Sequence, residues 1–259
     1  METSIPLPMR LSRVPGVRRT FTHRILKESP IKIVERMAGK LYVVSTPIGN
    51  LKDVTLRAIE VLKSVDAILC EDTRHAKKFL QHYGIDKPLI SYFEGNENRR
   101  APQIIQMLKE GQNIALISDA GTPTISDPGY RVVRMAREEG IEVIPVPGPS
   151  AIIAALSVSG LPTDRFIFEG FLPKKEGRRR KRLEELADFE GSIVLYESPH
   201  RIERTLKEIL EIMGDRRVFI GREMTKMHEE YLFGWLSDIM DRVKPKGEFV
   251  IVVSKEKRI

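Results

Sequence analysis

The amino-acid sequence predicts an α/β protein made of two lobes. Short apolar runs typical of strands alternate with segments whose apolar residues recur at helical spacing, a pattern that favours α/β units on a largely parallel sheet. The chain has 259 residues, 41% of them hydrophobic, which is enough for one large domain or two modest ones. Three loops rich in glycine and proline follow predicted strands, where ligands bind in open α/β sheets.

The first lobe, residues 37–148, is predicted from seven segments. Helical spacing is clear in the last helix, where Val132, Val133 and Ala136 share one face and Gly140 stands where a helix would end. The predicted strands are Leu41–Ser45, Val65–Cys70, Asn113–Ser118 and Glu142–Val146, and the predicted helices are Asp53–Lys63, Arg74–His82 and Tyr130–Gly140.

The second lobe, residues 149–259, continues the alternation with different spacing. It opens with a helix of small residues, and we place the junction between the lobes at Pro147–Ser150. The predicted helices are Ala151–Ser159, Arg179–Phe189 and Ile202–Met213, and the predicted strands are Arg165–Glu169, Ser192–Tyr196, Arg217–Gly221, Glu230–Trp235 and Glu248–Val253.

Residues 1–36 show no sustained helical or strand period. They mix four prolines with eight Lys or Arg and three Glu, and we expect a basic, disordered extension that takes no part in the chemistry. Two alternatives remain open. Met37 is a plausible translation start, and an Arg-rich, acid-poor segment also suits an organelle transit peptide.

Several classes of protein are excluded by what the sequence lacks. A single cysteine, Cys70, excludes an internal disulfide framework or a multi-cysteine metal site, and the five histidines lack ligand spacing, so we predict no metal. The longest apolar stretch is far below the roughly 18 residues of a membrane span, so we expect a soluble, cytoplasmic protein that binds no membrane. The motifs of dinucleotide-binding, P-loop and serine hydrolase proteins are missing.

Positive charge is concentrated in one short segment of the predicted fold. The basic segment, Lys174–Arg182, reads KKEGRRRKR and holds seven basic residues and one acid, in a chain whose net charge is +7. Clustered guanidinium groups suit the phosphates of RNA. The alternative is a solvated helix face, because the pairs Arg180/Glu184 and Lys181/Glu185 have i, i+4 spacing.

The three punctuated loops predict a binding site. They are the first loop (Ser45–Asn50, STPIGN), the second loop (Ser118–Gly129, SDAGTPTISDPG) and the third loop (Val146–Ser150, VPGPS). Glycine lets the backbone approach a ligand, and proline sets the shape of a loop before binding. The loops therefore suit a nucleoside-sized ligand, although tight turns alone would also explain them.

Five motifs between residues 38 and 253 carry a resemblance to a known family. They are STPIGNLKDVTLRAIEVLKSVDAILCEDTRHAKKFLQHYGI (Ser45–Ile85), SDAGTPTISDPGYRVV (Ser118–Val133), DRFIFEGFLP (Asp164–Pro173), YESPHR (Tyr196–Arg201) and REMTKMHEE (Arg222–Glu230). In this order they resemble the ribosomal RNA small subunit methyltransferase I family, which belongs to the tetrapyrrole-methylase superfamily of class III methyltransferases.

The resemblance implies a fold, a reaction and partners. It implies two α/β lobes with a cofactor cleft between them, S-adenosylmethionine as cofactor, and a homodimer. The implied reaction is 2′-O-methylation of a cytidine ribose in the decoding region of 16S ribosomal RNA, on naked RNA or on the assembled small subunit. Two alternatives are methylation of a tetrapyrrole or a protein side chain by the same fold, and a non-catalytic RNA-binding relative.

The resemblance also implies which residues hold the cofactor. The first loop departs from the Gly-x-Gly-Pro-Gly form of tetrapyrrole methylases, so its residues either hold the cofactor or shape the substrate mouth. The implied cofactor-binding residues are Pro47, Gly49, Asp119, Ala120, Gly121, Thr122, Ser150 and Ala151.

Methyl transfer to a ribose hydroxyl requires orientation and gains from a general base. The sequence does not select that base, because an ion pair or an ordered loop explains each candidate taken alone better than base catalysis does. The candidates are Asp72 or Glu71, Glu97, Glu197, and Lys226 or Glu223, with Lys226 requiring a pKa lowered by burial.

The predicted RNA contacts are Arg74, Lys174, Lys175, Arg178, Arg179 and Arg180. Three aromatic residues are candidates for stacking on a base or on adenine, although most aromatics at strand ends belong to the core: Phe168, Phe171 and Tyr196.

Overall fold

A computed structural model describes residues 37–258 of the chain. These residues form two five-stranded sheets, one from each half of the described chain, with helices against the faces of both. The expectations for residues 1–36 lie outside the described residues. Within residues 37–258, no helix is long and apolar enough to cross a membrane.

The first sheet is entirely parallel, as the sequence predicts. Its strands lie in the order β3-β2-β4-β1-β5. They are β1 (Leu41–Val44), β2 (Ala67–Cys70), β3 (Leu89–Ser91), β4 (Ile114–Leu116) and β5 (Val143–Val146). Because the strands are parallel, the loops that follow β1, β4 and β5 leave the sheet at the same edge.

Helices cover both faces of the first sheet. The helices α1 (Leu56–Ser64) and α2 (Thr73–His82) pack on one face, and α3 (Glu97–Lys109) and α4 (Tyr130–Glu138) pack on the other. Neighbouring strands β1 and β4 therefore send their following helices to opposite faces. Such a switch point leaves a crevice at the carboxyl ends of the strands, and the first and second loops follow the two strands on either side of it here.

The second sheet has the order β6-β7-β10-β8-β9. Its elements are α5 (Ala151–Val158), β6 (Phe166–Phe171), α6 (Glu176–Ala187), β7 (Ser192–Glu197), α7 (Ile202–Met213), β8 (Arg216–Arg222), β9 (Glu230–Trp235), α8 (Leu236–Ile239) and β10 (Phe249–Lys257). Helices α6, α7 and α8 pack on one face, and α5 packs on the other.

The structure confirms most predicted elements and corrects two points. Ile202–Met213 and Glu230–Trp235 have the predicted bounds. The second sheet is not largely parallel: β6 and β7 are parallel, but β7, β10, β8 and β9 pair antiparallel. β3 and α3 were not predicted, because β3 has only three residues and α3 carries Pro102 and a polar first turn. The lobe boundary at 148/149 stays a prediction.

Candidate functional site

A cavity of about 440 Å³ lies where the carboxyl edge of the first sheet meets the second sheet. We call it the central cavity. Its size is within the usual range for small-molecule sites. Both halves of the described chain line it: Ile48, Ala120, Gly121, Thr122, Ile125, Ser126, Asp127, Ser150, Ala151, Ile152, Phe171, Tyr196, Glu197, Ser198, Pro199, Gly221, Glu223, Met224, Lys226, Glu248, Phe249 and Val250.

The three loops are bonded to one another on the first-sheet side of the cavity. The amide of Thr46 donates to the carbonyl of Gly121 at 2.8 Å, and the amide of Gly121 donates back to the carbonyl of Thr46 at 3.0 Å. The hydroxyls of Ser45 and Thr122 lie 2.9 Å apart, and Thr122 Oγ1 lies 3.2 Å from the carbonyl of Pro149. These bonds hold the wall of the cavity in shape before any ligand arrives.

Five of the eight predicted cofactor residues line the central cavity. They are Ala120, Gly121, Thr122, Ser150 and Ala151. Gly121 has φ +83, a conformation that L side chains rarely adopt, so its backbone faces the cavity without a side chain. Asp119 is exposed beside this wall and is not among the lining residues.

Pro47 and Gly49 do not line the cavity. A Cβ built on Gly49 would lie only 2.4 Å from Cγ of Lys226, so the first loop packs directly against the turn after β8, residues 223–229. The amide of Asn50 also donates to Thr225 Oγ1 at 3.2 Å. Gly49 thus lets the two halves of the chain meet at the side of the cavity.

Backbone strain is concentrated beside the cavity. Within residues 37–258, four non-glycine residues have positive φ: Thr124 (75°), Ser126 (64°), Glu223 (51°) and Thr225 (66°). The first two lie in the second loop and the others in the turn 223–229, and both segments border the cavity. Such conformations cost free energy and occur preferentially at functional sites.

Lys226 is held by two carboxylates in this structure. Its ammonium donates to Glu223 Oε1 at 2.8 Å and to Glu248 Oε2 at 2.9 Å. Burial lowers its pKa, but the bonds to the two carboxylates prevail and the pKa is raised. Lys226 was a candidate base only if burial lowered its pKa, and the structure does not meet that condition. Glu223 is not a stronger candidate for the general base, because its hydrogen bond from Lys226 lowers the pKa of its carboxyl group.

Two other candidate bases order loops. Asp72 caps α2 by accepting from the amide of Arg74 at 2.8 Å, and it also pairs with the guanidinium of Arg74. These bonds lower the pKa of Asp72. Glu97, at the start of α3, accepts from the amide of Gly129 at 2.9 Å and so ties down the end of the second loop. Neither residue lines the cavity.

Glu197 lines the cavity, but its carboxylate is already engaged. Oε1 accepts from the amide of Ser198 at 2.8 Å, and Oε2 accepts from Thr205 Oγ1 at 2.7 Å and lies 3.3 Å from Arg201 Nη2. With only 2% of the residue exposed, this carboxylate holds the turn between β7 and α7, and both of its oxygens already have partners in the protein.

The structure reveals a carboxylate in the cavity that the sequence did not single out. Asp127 of the second loop lines the cavity, and burial raises its pKa to about 6, with a bond from Ser118 opposing and the charge of Asp119 adding to the shift. Burial and the charges of Asp127 and Asp119 raise the pKa of nearby Glu71 to about 7. Among residues 37–258, neither Asp127 nor Glu71 forms an ion pair with a Lys or Arg. Asp127 therefore combines access to the cavity with a basicity suited to proton transfer near neutral pH.

Some cations of the basic segment are exposed, and others are paired with carboxylates. Lys174, Lys175 and Arg178 are exposed, as is Arg74. Arg180 is partly buried and pairs with Glu211 at 2.6 Å. The predicted i, i+4 pairs are not the ones formed in the described residues.

Arg179 does not contact RNA, because it is fully buried. Its guanidinium binds both carboxylate oxygens of Glu208, with Nη2–Oε1 at 2.7 Å, and donates to the carbonyl of Lys174 at 3.0 Å. The prediction of a phosphate contact is wrong for this residue. The position of Arg179 in helix α6 directs its side chain to the interior. The charge pattern of the sequence alone does not reveal this.

The described residues contain no cluster of three or more His, Cys, Asp or Glu arranged to hold a metal ion. The charged groups that line the cavity are the ammonium of Lys226 and four carboxylates, those of Asp127, Glu197, Glu223 and Glu248. The cavity therefore combines apolar walls, bare backbone and net negative charge, which suits a cationic, partly apolar ligand.

Comparisons with known proteins identify the family. Residues 40–240 match the family model described as Tetrapyrrole (Corrin/Porphyrin) Methylases. A ribosomal RNA small subunit methyltransferase I from Thermotoga maritima is 52% identical over 219 residues, covering 83% of this chain and 98% of that protein. A protein of the same name from Escherichia coli O157:H7 is 48% identical over 227 residues, covering 85% of this chain and 79% of that protein.

A solved structure supports the fold. The crystal structure of uroporphyrin-III-C-methyltransferase from Thermus thermophilus matches with a TM-score of 0.57 and 20% identity, covering 84% of this chain and 94% of that chain. At that identity the likeness speaks for the two-sheet architecture alone. From the family model and the relatives at about half identity, the chain belongs to the tetrapyrrole methylases, and within them to the ribosomal RNA small subunit methyltransferase I family.

Proposed function

We propose that this protein is an S-adenosylmethionine-dependent methyltransferase that methylates the ribose 2′-oxygen of a cytidine in the decoding region of 16S ribosomal RNA. The observation that carries the proposal is a cavity of nucleoside size beside exposed cations, in a chain about half identical to ribosomal RNA methyltransferases. The substrate is small-subunit RNA, naked or assembled, and we infer a homodimer that works in the cytoplasm.

The residues of the central cavity fit S-adenosylmethionine. Its apolar wall, which includes Ile152, Met224 and Val250, suits the adenine ring, and the bare backbone of Ala120–Thr122 suits the ribose and methionine portions. The excess of carboxylates in the lining complements a cation, because the ligand carries a sulfonium and an ammonium group. When bound, the cofactor supplies an activated methyl group.

The chain supplies orientation and proton transfer. The interlocked loops hold the cavity wall rigid, so that a ribose hydroxyl can be placed in line with the methyl group, and such positioning accounts for several orders of magnitude in rate. We assign the removal of the hydroxyl proton to the carboxylate of Asp127, since it lines the cavity and is free of paired cations in the described residues.

The exposed part of the basic segment is the proposed contact for the RNA backbone. Changing Lys174, Lys175 and Arg178 together to Gln is expected to weaken RNA binding and to flatten its salt dependence. Each lost phosphate contact on a single strand removes about 0.7 from the slope of log K against log salt, so the slope should fall by about 2. This slope is measured by following RNA binding at 50 to 300 mM salt with fluorescence anisotropy.

A matched control has the same charge change at the opposite edge of the first sheet. Lys63, Lys87 and Lys109 lie beside the amino ends of β2, β3 and β4, and their change to Gln should leave the slope within about 0.5 of the unaltered protein. Equal slopes for the two triple variants would contradict the assignment. S-adenosylmethionine affinity should be unchanged in both.

Methyl transfer tests the function itself. Tritiated S-adenosylmethionine is incubated with the protein and with small ribosomal subunits lacking the modification, and the label is mapped by nuclease digestion. We expect label on the ribose of a cytidine in 16S ribosomal RNA. Label in a tetrapyrrole or a protein substrate but not in RNA, or no transfer by protein that binds the cofactor, would refute the proposal.

A further inference from the structure

Strand β6 contains a β-bulge that changes which way its last residues face. Phe168 pairs with Val194 of β7, but the next paired residues are Gly170 with Leu195, so Glu169 is an extra residue. Before the bulge, Ile167 packs on the α6–α7 face of the sheet and Phe168 packs on the α5 face. A bulge inserts one residue and so exchanges the faces of everything that follows it.

The consequence is that Phe171 faces the central cavity. With strict alternation it would share the α6–α7 face with Ile167, whereas the bulge pairs it with Tyr196, on the α5 face. The rings of Phe171 and Tyr196 lie 5.7 Å apart at 62°, and both line the cavity. Phe171 nevertheless remains 56% exposed, so a large part of the ring lacks a partner.

An ion pair contacts the bulge directly, through an arginine that also pairs with Glu185 at 2.8 Å. Arg182 of the basic segment binds both carboxylate oxygens of Glu169, each at 2.7 Å. Gly170 has φ +71, and a Cβ there would lie 3.0 Å from Ser126 Oγ of the second loop, so the bulge also abuts the other half of the chain. Bulges near binding sites commonly re-aim a side chain, and here the re-aimed side chain is Phe171.

Phe171 lies just before the exposed cations of the basic segment in the chain. Leu172 is buried, and Arg201 donates to its carbonyl at 2.8 Å. The next two exposed cations are Lys174 and Lys175. An aromatic ring at a cavity mouth, followed within four residues by cations, is the combination that single-stranded nucleic acid requires, because bases stack on the ring while phosphates meet the cations.

We propose that the exposed ring of Phe171 stacks on the nucleobase of the nucleotide to be methylated, with the Glu169–Arg182 pair acting as positioning residues for that ring. The proposal rests on the proposed function and names the form of its substrate: a base that has left its own stack and entered the cavity mouth. Removing the ring should weaken RNA binding about ten- to hundredfold.

The experiment compares Phe171→Leu, Phe171→Tyr and Phe166→Leu. Phe166 lies on the same strand, is 41% exposed and does not line the cavity, so it is the matched control. The probe is a single-stranded RNA of the decoding region in which the target cytidine is replaced by a fluorescent pyrrolocytidine, whose emission falls on stacking. KM for unmethylated small subunits and the affinity for S-adenosylmethionine are measured alongside.

Quenching should occur with the unaltered protein, Phe171→Tyr and Phe166→Leu, and be lost with Phe171→Leu, whose KM should rise while its S-adenosylmethionine affinity stays the same. Quenching retained by Phe171→Leu would overturn the proposal. So would a matching loss of cofactor affinity, since the ring would then serve the adenine. These outcomes are distinct from failure of the proposed function, in which the unaltered protein transfers no methyl group to RNA.

Discussion

Asp127→Asn is expected to lower kcat for methyl transfer by about 10²–10⁴-fold, the usual contribution of a general base. The amide has nearly the shape of the carboxylate but cannot accept the proton of the ribose hydroxyl. S-adenosylmethionine affinity should change little by comparison. Single-turnover transfer from tritiated cofactor to small subunits measures the effect, with Asp86→Asn, an exposed residue before β3, as a control for the lost charge.

The assignment of Asp127 as the base also predicts how the methyl-transfer rate depends on pH. Burial raises the pKa of Asp127 to about 6, so the reactive, deprotonated form is lost as the pH falls through 6. The rate of the unaltered protein should therefore rise between pH 5 and 7 and then level off. Asp127→Asn should lack this rise. A variant that keeps both the rate and the profile would show that Asp127 is not the base.

Glu71 provides a second check on the same carboxylates. The charge of Asp127 contributes to raising the pKa of Glu71 to about 7, so that pKa should fall in Asp127→Asn. Glu71→Gln should keep most of the transfer rate, since Glu71 is outside the cavity lining. A loss in Glu71→Gln as large as that in Asp127→Asn would move the assignment to Glu71.

Arg179→Ala is expected to lower the free energy of unfolding by about 3–5 kcal/mol. The change removes one partner of a buried ion pair and leaves the carboxylate of Glu208 with only 6% of the residue exposed, a situation that is strongly destabilising. It also frees the carbonyl of Lys174. Urea unfolding followed by circular dichroism measures the effect.

The neighbouring arginine is the matched control. Arg178 is exposed on the same helix, so Arg178→Ala should change stability by no more than about 0.5 kcal/mol. A loss below about 1 kcal/mol in Arg179→Ala would mean that Glu208 reaches solvent or another cation once the arginine is gone. The two variants thus separate the structural from the RNA-binding part of the basic segment.

The strands and helices could be predicted where periodicity is strong and local. Ile202–Met213 has the predicted bounds because its apolar residues recur at helical spacing and pack in one core. β3 was missed, because three residues of intermediate burial have no clear alternation. The antiparallel pairing of the second sheet was also missed, because strand direction depends on contacts between distant segments rather than on local composition.

The walls of the site were predictable, and its chemistry was not. Glycine and proline mark the three loops in the sequence, and the structure bonds these loops together. The turn after β8 reaches the site through contacts such as that between Asn50 and Thr225, which are 175 residues apart. Which carboxylate faces the cavity depends on such contacts, so Asp127 could not be chosen over Asp72 or Glu197 from residue type.

Charge and alternation were each misleading at one position of the second half. The charge pattern of the basic segment predicts an RNA contact at Arg179, but the turn of α6 places Arg179 in the core. Strict alternation along FIFEGF would place Phe171 on the face opposite the cavity, but the bulge at Glu169 reverses it. Neither effect has a signal in composition, and in the fold an ion pair is formed at each of the two places, Arg179–Glu208 and Arg182–Glu169.

We infer that S-adenosylmethionine binds in the central cavity, between the two sheets. Calorimetric titration of the cofactor into Ala151→Trp and Ile153→Trp tests it most directly, because both residues lie on α5, and only Ala151 lines the cavity whereas Ile153 is 56% exposed. We predict that Ile153→Trp binds as tightly as the unaltered protein and that Ala151→Trp, folded by circular dichroism, binds at least about tenfold more weakly, since the indole fills space a ligand needs. Equal affinity in the two variants, or no binding by the unaltered protein, would contradict the account.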